Sequence, residues 1–296
     1  MKDALIIINP VAGRGGYKNG LGDALHTLYK NGIRPTLSFT KGTKDATHIA
    51  AAEAKNYELI CCVGGDGTLS EVVAGLMEVD APPPIGYIPL GTANDVATTL
   101  RLPKNDMSGA ARIIARGVPR YWDVGRLGTN GYFTYVAAFG AFTDVSYETS
   151  QQRKQMLGQF AYLLEGLTRL PHLPHYNTRV EMNDRVLEGD YIFGGVLNST
   201  SVAGLVKLDP AVVQLDDGKF EVALVKNPGS LAALNKLVNE VLTQNYEGQY
   251  FEVFQTDAVK FSFGQDVPLT RDGESGGIYS EVSMTNCPRA VQILVP

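Results

Sequence analysis

Short apolar runs punctuate the first third of the chain, and each ends in a polar, glycine-rich turn. Leu5-Ile6-Ile7-Ile8, Leu59-Ile60-Cys61-Cys62-Val63 and Ile85-Gly86-Tyr87-Ile88 are too short for buried helices and lack the alternation of half-exposed strands. Runs of this kind predict strands buried on both faces. Thr36 to Thr40 reads as one more strand. Between the strands, Lys18 to Lys30 carries Leu21, Leu25 and Leu28 at helical spacing, Asp45 to Lys55 is alanine-rich and helical, and Leu69 to Met77 is a third helix; another follows Asp95. Alternation of strand and helix predicts a parallel sheet covered by helices, and such sheets bind ligands beyond the carboxyl ends of their strands. Asn9 to Gly16, Gly64 to Thr68 and Pro89 to Asp95 all stand at such ends, on one predicted rim.

The pattern changes near Trp122-Asp123-Val124-Gly125. Short alternating segments follow (Tyr132 to Ala138, Arg179 to Met182, Tyr191 to Leu197, Phe220 to Val225, Val259 to Phe263, Val291 to Val295), separated by Gly, Asn and Asp turns. They predict a β-rich second domain, a sandwich or barrel, interrupted by helices at Gln155 to Leu170 and Leu231 to Leu242. From the pattern alone, the final strand could join either domain.

Composition narrows the class. With 296 residues, 44% hydrophobic and 19% charged, the chain can bury a sizeable core in two domains. A formal net charge of -5 argues against a bulk nucleic-acid binder. The 3 Cys show no metal spacing; Cys61 and Cys62 read as small buried hydrophobes, which suggests a reducing compartment. Ala4 to Ile8 is too short for a signal-peptide core, and no window approaches the roughly 20 apolar residues of a membrane span. The expectation is a soluble cytoplasmic protein that meets lipid, if at all, from the surface.

Gly64-Gly65-Asp66-Gly67-Thr68 is the most informative stretch. Glycines let a backbone approach phosphate closely. A carboxylate in the same turn is awkward for phosphate unless a hard cation such as Mg²⁺ lies between them. The plain structural reading is that Asp66 caps the helix that follows, with Asn94 or Asp95 doing the same in Gly91-Thr92-Ala93-Asn94-Asp95. Two such loops beside Asn9-Pro10-Val11-Ala12-Gly13 are more than capping requires. Gly13-Arg14-Gly15-Gly16-Tyr17-Lys18 fails the dinucleotide fingerprint at Lys18, and the chain has no P-loop lysine, zinc-spaced histidines or Gly-x-Ser-x-Gly elbow. Asp272-Gly273-Glu274 reads by itself as a hairpin turn, and Asp216-Asp217-Gly218 either as another or as a hard-cation site. Met156 to Leu164 is apolar on most faces and reads as core by default, or as an acyl-chain slot. Arg153, Lys154, Arg169 and Arg179 could meet anionic headgroups.

Taken together, Gly64 to Thr68 with Glu71, Pro89 to Asp95, Val202-Ala203-Gly204, Leu215 to Phe220 and Asp272-Gly273-Glu274 resemble the diacylglycerol kinase catalytic-domain superfamily, over essentially the whole chain and in order. Val145 to Thr149 and Phe160-Ala161-Tyr162 look like its soluble bacterial branch. Val96 to Thr99 depart from many relatives, which carry an aromatic and then an arginine there, and Glu165 departs from the basic residue of that branch; both bear on membrane docking. The resemblance implies α/β plus all-β architecture: a three-layer nucleotide-binding domain related to phosphofructokinase and NAD kinase at 1–124, a β-sandwich lipid-substrate domain at 125–287, and a return of 288–296 to the first. It implies ATP binding by Asn9, Pro10, Val11, Ala12, Gly13, Thr40, Gly65, Asp66, Gly67, Thr68, Leu69, Ser70, Glu71 and Thr92. Asp66 and Asp95 would hold catalytic Mg²⁺ and the phosphates. Glu274 would be the general base with Asp272 beside it, in a cleft between the domains. Asp217 and the carbonyls of Gln214 and Lys219 would hold a second, structural Mg²⁺.

The expected activity is ATP-dependent phosphorylation of diacylglycerol to phosphatidic acid, in phospholipid metabolism, by a homodimer peripherally attached to a membrane. A kinase for a sphingoid base or another lipid alcohol, an NAD kinase, and a non-catalytic lipid sensor are the alternatives.

Overall fold

The computed structural model describes residues 1–140 and 174–296, apart from 93, 105, 130, 203–205, 209–212, 244 and 246. Two compact units result: Met1–Val124 together with Pro288–Pro296, and Gly125–Cys287.

Four parallel strands make the first unit's sheet: β1 (Lys2–Ile8), β2 (Ile33–Phe39), β3 (Leu59–Gly64) and β4 (Ile85–Pro89), in the order β4-β3-β1-β2. The apolar runs form strands because both faces are covered. Ala4, Ile6, Ile8, Cys61, Val63 and Ile88 pack with Ala24 and Leu28 of α1 (Leu21–Lys30) and Met107, Ala110 and Ile114 of α5 (Met107–Arg116). Leu5, Ile7, Ile60 and Cys62 point the other way and are equally buried. Each buried isoleucine contributes about 1.5–3 kcal/mol of transfer free energy. Helix α2 (Asp45–Glu53) packs on α3 (Asp66–Leu76), and a short α4 (Asp95–Thr99) follows the rim loop after β4.

Boundaries differ from the reading of the pattern in instructive ways. Helix α3 begins at Asp66, three residues before the expected Leu69, so only Gly65 separates strand from helix. Gly64 permits this tight entry, since a Cβ there would lie 2.6 Å from the Thr68 Cβ. Strand β2 starts at Ile33 rather than Thr36; Arg34 and Pro35 obscure it, and both are tolerable because β2 is an edge strand. Lys18 closes a short 3₁₀ turn, and α1 starts only at Leu21.

The chain leaves the first unit through β5 (Val118–Leu127). The second unit is antiparallel throughout its described pairings. It contains β6 (Tyr132–Phe133), β7 (Val136–Gly140), β8 (Tyr176–Met182), β9 (Arg185–Leu197), β10 (Ser201–Val202), β11 (Val206–Lys207), β12 (Phe220–Lys226), α6 (Leu231–Leu242), β13 (Phe251–Thr256) and β14 (Ala258–Arg271). Strands β7 and β8 lie end to end between the same neighbours, β9 and β14. Phe133, Phe139, Phe220, Phe261 and Phe263 fill the core, with Phe139 and Phe263 edge to face at 4.7 Å. The long β15 (Glu274–Val295) starts in this unit against β14 and ends in the first, where Ile293 pairs with Ile85 of β4. The helix expected at Gln155 to Leu170, the segments Val145 to Thr149 and Met156 to Leu164, and Arg153, Lys154, Glu165 and Arg169 lie outside the described residues. No helix of the described residues is long and apolar enough to cross a membrane.

Candidate functional site

Adjacent parallel strands deliver their carboxyl ends to one edge, so β1, β3 and β4 bring their loops into contact. Asn9 leaves β1 and donates through Nδ2 to Thr68 Oγ1 of α3 at 2.9 Å, while its own Oδ1 accepts the Val11 N–H at 3.1 Å. Gly13, at φ 56°, sits where a Cβ would be 2.4 Å from the Leu90 carbonyl oxygen. A Cβ on Gly91 would be 2.7 Å from the Gly65 Cα. Three loops thus meet backbone to backbone, and side chains at these positions would force them apart. Pro10 and Ala12 are half-buried, whereas Val11 is 79% exposed and Thr92 is also exposed. Gly67, Leu69 and Ser70 lie in the first turns of α3.

Asp66 links two of these loops. Its carboxylate accepts the N–H of Asp95 at 2.9 Å and of Val96 at 3.3 Å, so it caps α4. Asn94, at the N-cap position of α4, does not cap with its side chain: it adopts φ 53° and turns its Nδ2 back to the Gly91 carbonyl at 2.8 Å. Asp66 is 7% exposed and Asp95 half-buried, and the bond between the Asp66 carboxylate and the Asp95 N–H makes the two acidic residues neighbours on the rim. The buried Tyr87 hydroxyl lies 3.5 Å from Asp66 Oδ1 and 3.4 Å from Asn94 Oδ1 and can donate to one of them at a time.

Glu71 lies one turn further along α3. Its carboxylate accepts the N–H of Lys44 at 2.8 Å and of Ala46 at 3.2 Å, at the entry of α2. It therefore pins the loop that follows Thr40, a buried threonine at the end of β2. Asp45 secures the other side by accepting the Lys41 N–H at 2.7 Å.

The other named acids belong to the second unit. Asp272 and Gly273 form a two-residue turn, with φ 48° and 83°, between the paired residues Arg271 and Glu274. The hairpin reading of this turn is correct, yet the Asp272 carboxylate is buried and accepts from Thr134 N and Oγ1 and from Tyr135 N and Val136 N. Glu274 is exposed. In the 214–219 loop, Asp217 is exposed and its Oδ1 accepts the Lys219 N–H at 2.9 Å; Gln214 is exposed too, and the Lys219 carbonyl accepts Asn286 Nδ2 at 3.1 Å. Among the described residues, no three His, Cys, Asp or Glu side chains gather as a metal-binding group. Arg179, considered for headgroups, pairs with Glu181 and Glu188.

Two residues were not singled out from the sequence. Tyr87, between Asp66 and Asn94, is one. The other is Asp123, wholly buried on β5, whose Oδ1 accepts the Arg289 N–H at 2.7 Å and so ties β5 to the returning end of β15. A lone carboxylate between Trp122 and Val124 was the available signal.

Residues 3–127 match the family described as diacylglycerol kinase catalytic domain. Across its full length the chain is 33% identical to a diacylglycerol kinase of Bacillus subtilis (strain 168), covering 97% of that protein. It is 35% identical to a diacylglycerol kinase of Staphylococcus aureus (strain MRSA252), again over its full length and 93% of the relative. The chain belongs to the diacylglycerol kinase family. It is a lipid kinase in that sense, and the rim loops described above fall inside the matched region. The fold agrees: the crystal structure of a diacylglycerol kinase from Bacillus anthracis str. Sterne superposes with a TM-score of 0.79 at 22% identity, over all of this chain and 97% of that one. As a family member, the chain presents two acid-bearing elements, the Asp66–Asp95 rim and the Asp272–Glu274 turn.

Proposed function

We propose that this kinase transfers the γ-phosphoryl group of ATP to the free hydroxyl of diacylglycerol, giving phosphatidic acid and ADP, with Mg²⁺. The observation that carries the reading is the interlocked rim, in which Asn9, Gly13, Gly65, Asp66 and Gly91 join three strand-end loops. Phosphoryl transfer needs positioning and charge neutralisation more than covalent help. The loop of Asn9, Pro10, Val11, Ala12 and Gly13, whose N–H groups at 9, 11 and 12 are spent on holding its own shape, would wall the phosphate site, and backbone N–H groups of the α3 entry would face the phosphates; Thr40, Gly67, Thr68, Leu69, Ser70, Glu71 and Thr92 complete the nucleotide site. Asp66 and Asp95 supply hard oxygen donors, which suit Mg²⁺. The ion would supply neutralisation of phosphate charge. Asp217, with the carbonyls of Gln214 and Lys219, offers an all-oxygen set for a second, structural Mg²⁺.

Glu274 takes the hydroxyl proton as the alcohol oxygen attacks the γ-phosphorus; the bond to the bridging oxygen breaks and ADP departs. Residues 1–124 with 288–296 thus form the ATP-binding domain and 125–287 the lipid-substrate domain. Diacylglycerol stays in its bilayer, so the enzyme works as a peripheral protein at a membrane surface, as a homodimer.

Labelled ATP offered with a lipid panel tests the reading. Label on diacylglycerol supports it, and Glu274→Gln should then abolish transfer while ATP still binds. Label only on a sphingoid base or NAD, or no label on any acceptor despite lipid binding, overturns it.

A further inference from the structure

We infer that Asp272 and Thr134 form a buried anchor that aims Glu274, and that Asp272 is a positioning residue and not a proton-transfer group. The inference rests on the reading of Glu274 as the base.

The turn itself does not call for a carboxylate. Two residues with positive φ join β14 to β15, and Asn-Gly or Gly-Gly would satisfy that backbone as well. Yet Asp272 is only 5% exposed. Its Oδ2 accepts the Thr134 N–H at 2.7 Å and the Thr134 hydroxyl at 3.0 Å; its Oδ1 accepts the N–H of Tyr135 at 3.0 Å and of Val136 at 3.1 Å. A carboxylate has about four acceptor sites, so these donors fill them and leave no lone pair for a substrate hydroxyl. The successive amides of 134–136 make an anion-binding nest of the kind that usually holds phosphate, occupied here by the protein's own side chain.

The bonding is reciprocal. The Asp272 N–H donates to the Val136 carbonyl at 2.9 Å, and β7 continues the ladder through Ala137 with Arg271 and Ala138 with Thr270. Hairpin ends are ordinarily the first parts of a sheet to fray. A general base must be held to within roughly 0.5 Å of its working position. Glu274 stands two residues beyond a carboxylate fixed from four directions, so the anchor converts a fraying turn into a rigid mount.

Two variants separate this role from proton transfer. Asp272→Asn keeps the shape but turns amide donors toward the nest's own donors. Thr134→Val keeps the volume and deletes only the hydroxyl bond. We expect Asp272→Asn to lower kcat by about 100-fold, the scale of a misplacement near 1 Å, and Thr134→Val to lower it less. KM for ATP should hold in both, and both limbs of the kcat–pH profile should persist in Asp272→Asn. Amide hydrogen exchange should quicken at 134–136 and 273–277 and nowhere else, a readout that stands even if the wild type proves inert on diacylglycerol. If Asp272→Asn does not fold, Thr134→Val decides by the same readings. Unchanged exchange at 273–277, unchanged kcat, or loss of one pH limb would overturn the anchor.

Discussion

The carboxylate of Asp66 accepts the backbone N–H of Asp95 at 2.9 Å, so the acid of one rim loop caps the helix that begins at the acid of the next. Replacing Asp66 therefore removes two things at once, a charge at the proposed reaction centre and a cap. Asp66→Ala should lower turnover by about 10³-fold or more, beyond the loss of a single transition-state donor. It should cost only about 1–2 kcal/mol of stability, the scale of a lost cap. Phosphotransfer rates beside denaturant unfolding check this, and a variant that stays active refutes the central placement of Asp66.

Glu71 is expected to act on ATP through the loop it holds. Glu71→Gln keeps one acceptor for the amides of Lys44 and Ala46, whereas Glu71→Ala keeps none. KM for ATP should therefore rise in the order wild type, Gln, Ala, with about 1 kcal/mol of stability lost in the last. Steady-state kinetics and amide exchange at residues 44 and 46 measure both effects.

Glu221 introduces a pH dependence of stability. It is 1% exposed on β12, and burial pushes its carboxyl up to about 7; the nearby Asp217 charge acts the same way, while the hydrogen bond from Gln255 opposes the rise. A raised folded-state value means that the native protein holds the proton more tightly than the unfolded chain. Its contribution to stability is then greatest at low pH and falls as pH climbs from about 4.5 to about 7. Glu221→Gln should flatten that slope and raise stability at pH 8 by up to about 3 kcal/mol, as urea titrations at several pH values would reveal.

Cys61 and Cys62 are wholly buried on β3, where burial pushes the Cys61 thiol up to about 12 and Cys62 well above its usual value. Only the thiolate reacts readily. Iodoacetamide should thus modify the part-exposed Cys287 of the native protein while sparing the pair, which should label only on unfolding. Mass spectrometry of peptides after timed alkylation provides the check; early labelling at 61 or 62 would contradict the buried strand.

The first unit was largely legible because its core strands are covered on both faces, which leaves unbroken apolar runs such as Ile6-Ile7-Ile8 and Leu59 to Val63. Strand β5 was not, because Pro119, Arg120, Asp123 and Gly125 interrupt it; nor was the length of β15, which runs through Gly276, Gly277 and Pro288. The candidate site divides in the same way. Glycines at 13, 65 and 91 announce a close backbone approach on their own. What Asp66, Glu71 and Asp272 grip could not be read, since their partners stand 29, 27 and 138 residues away in sequence. Local spacing marks an acid; only topology tells which amides reach it.

The strand that completes the edge of the first unit leaves the ribosome after the whole second unit has been made. Residues 2–89 can align β1 to β4, but the neighbour of β4 is the far end of β15. During synthesis, β4 must wait with open backbone groups, a template for mispairing with other nascent chains. The contiguous unit of 125–287 can close first, so the order of maturation runs against the order of translation.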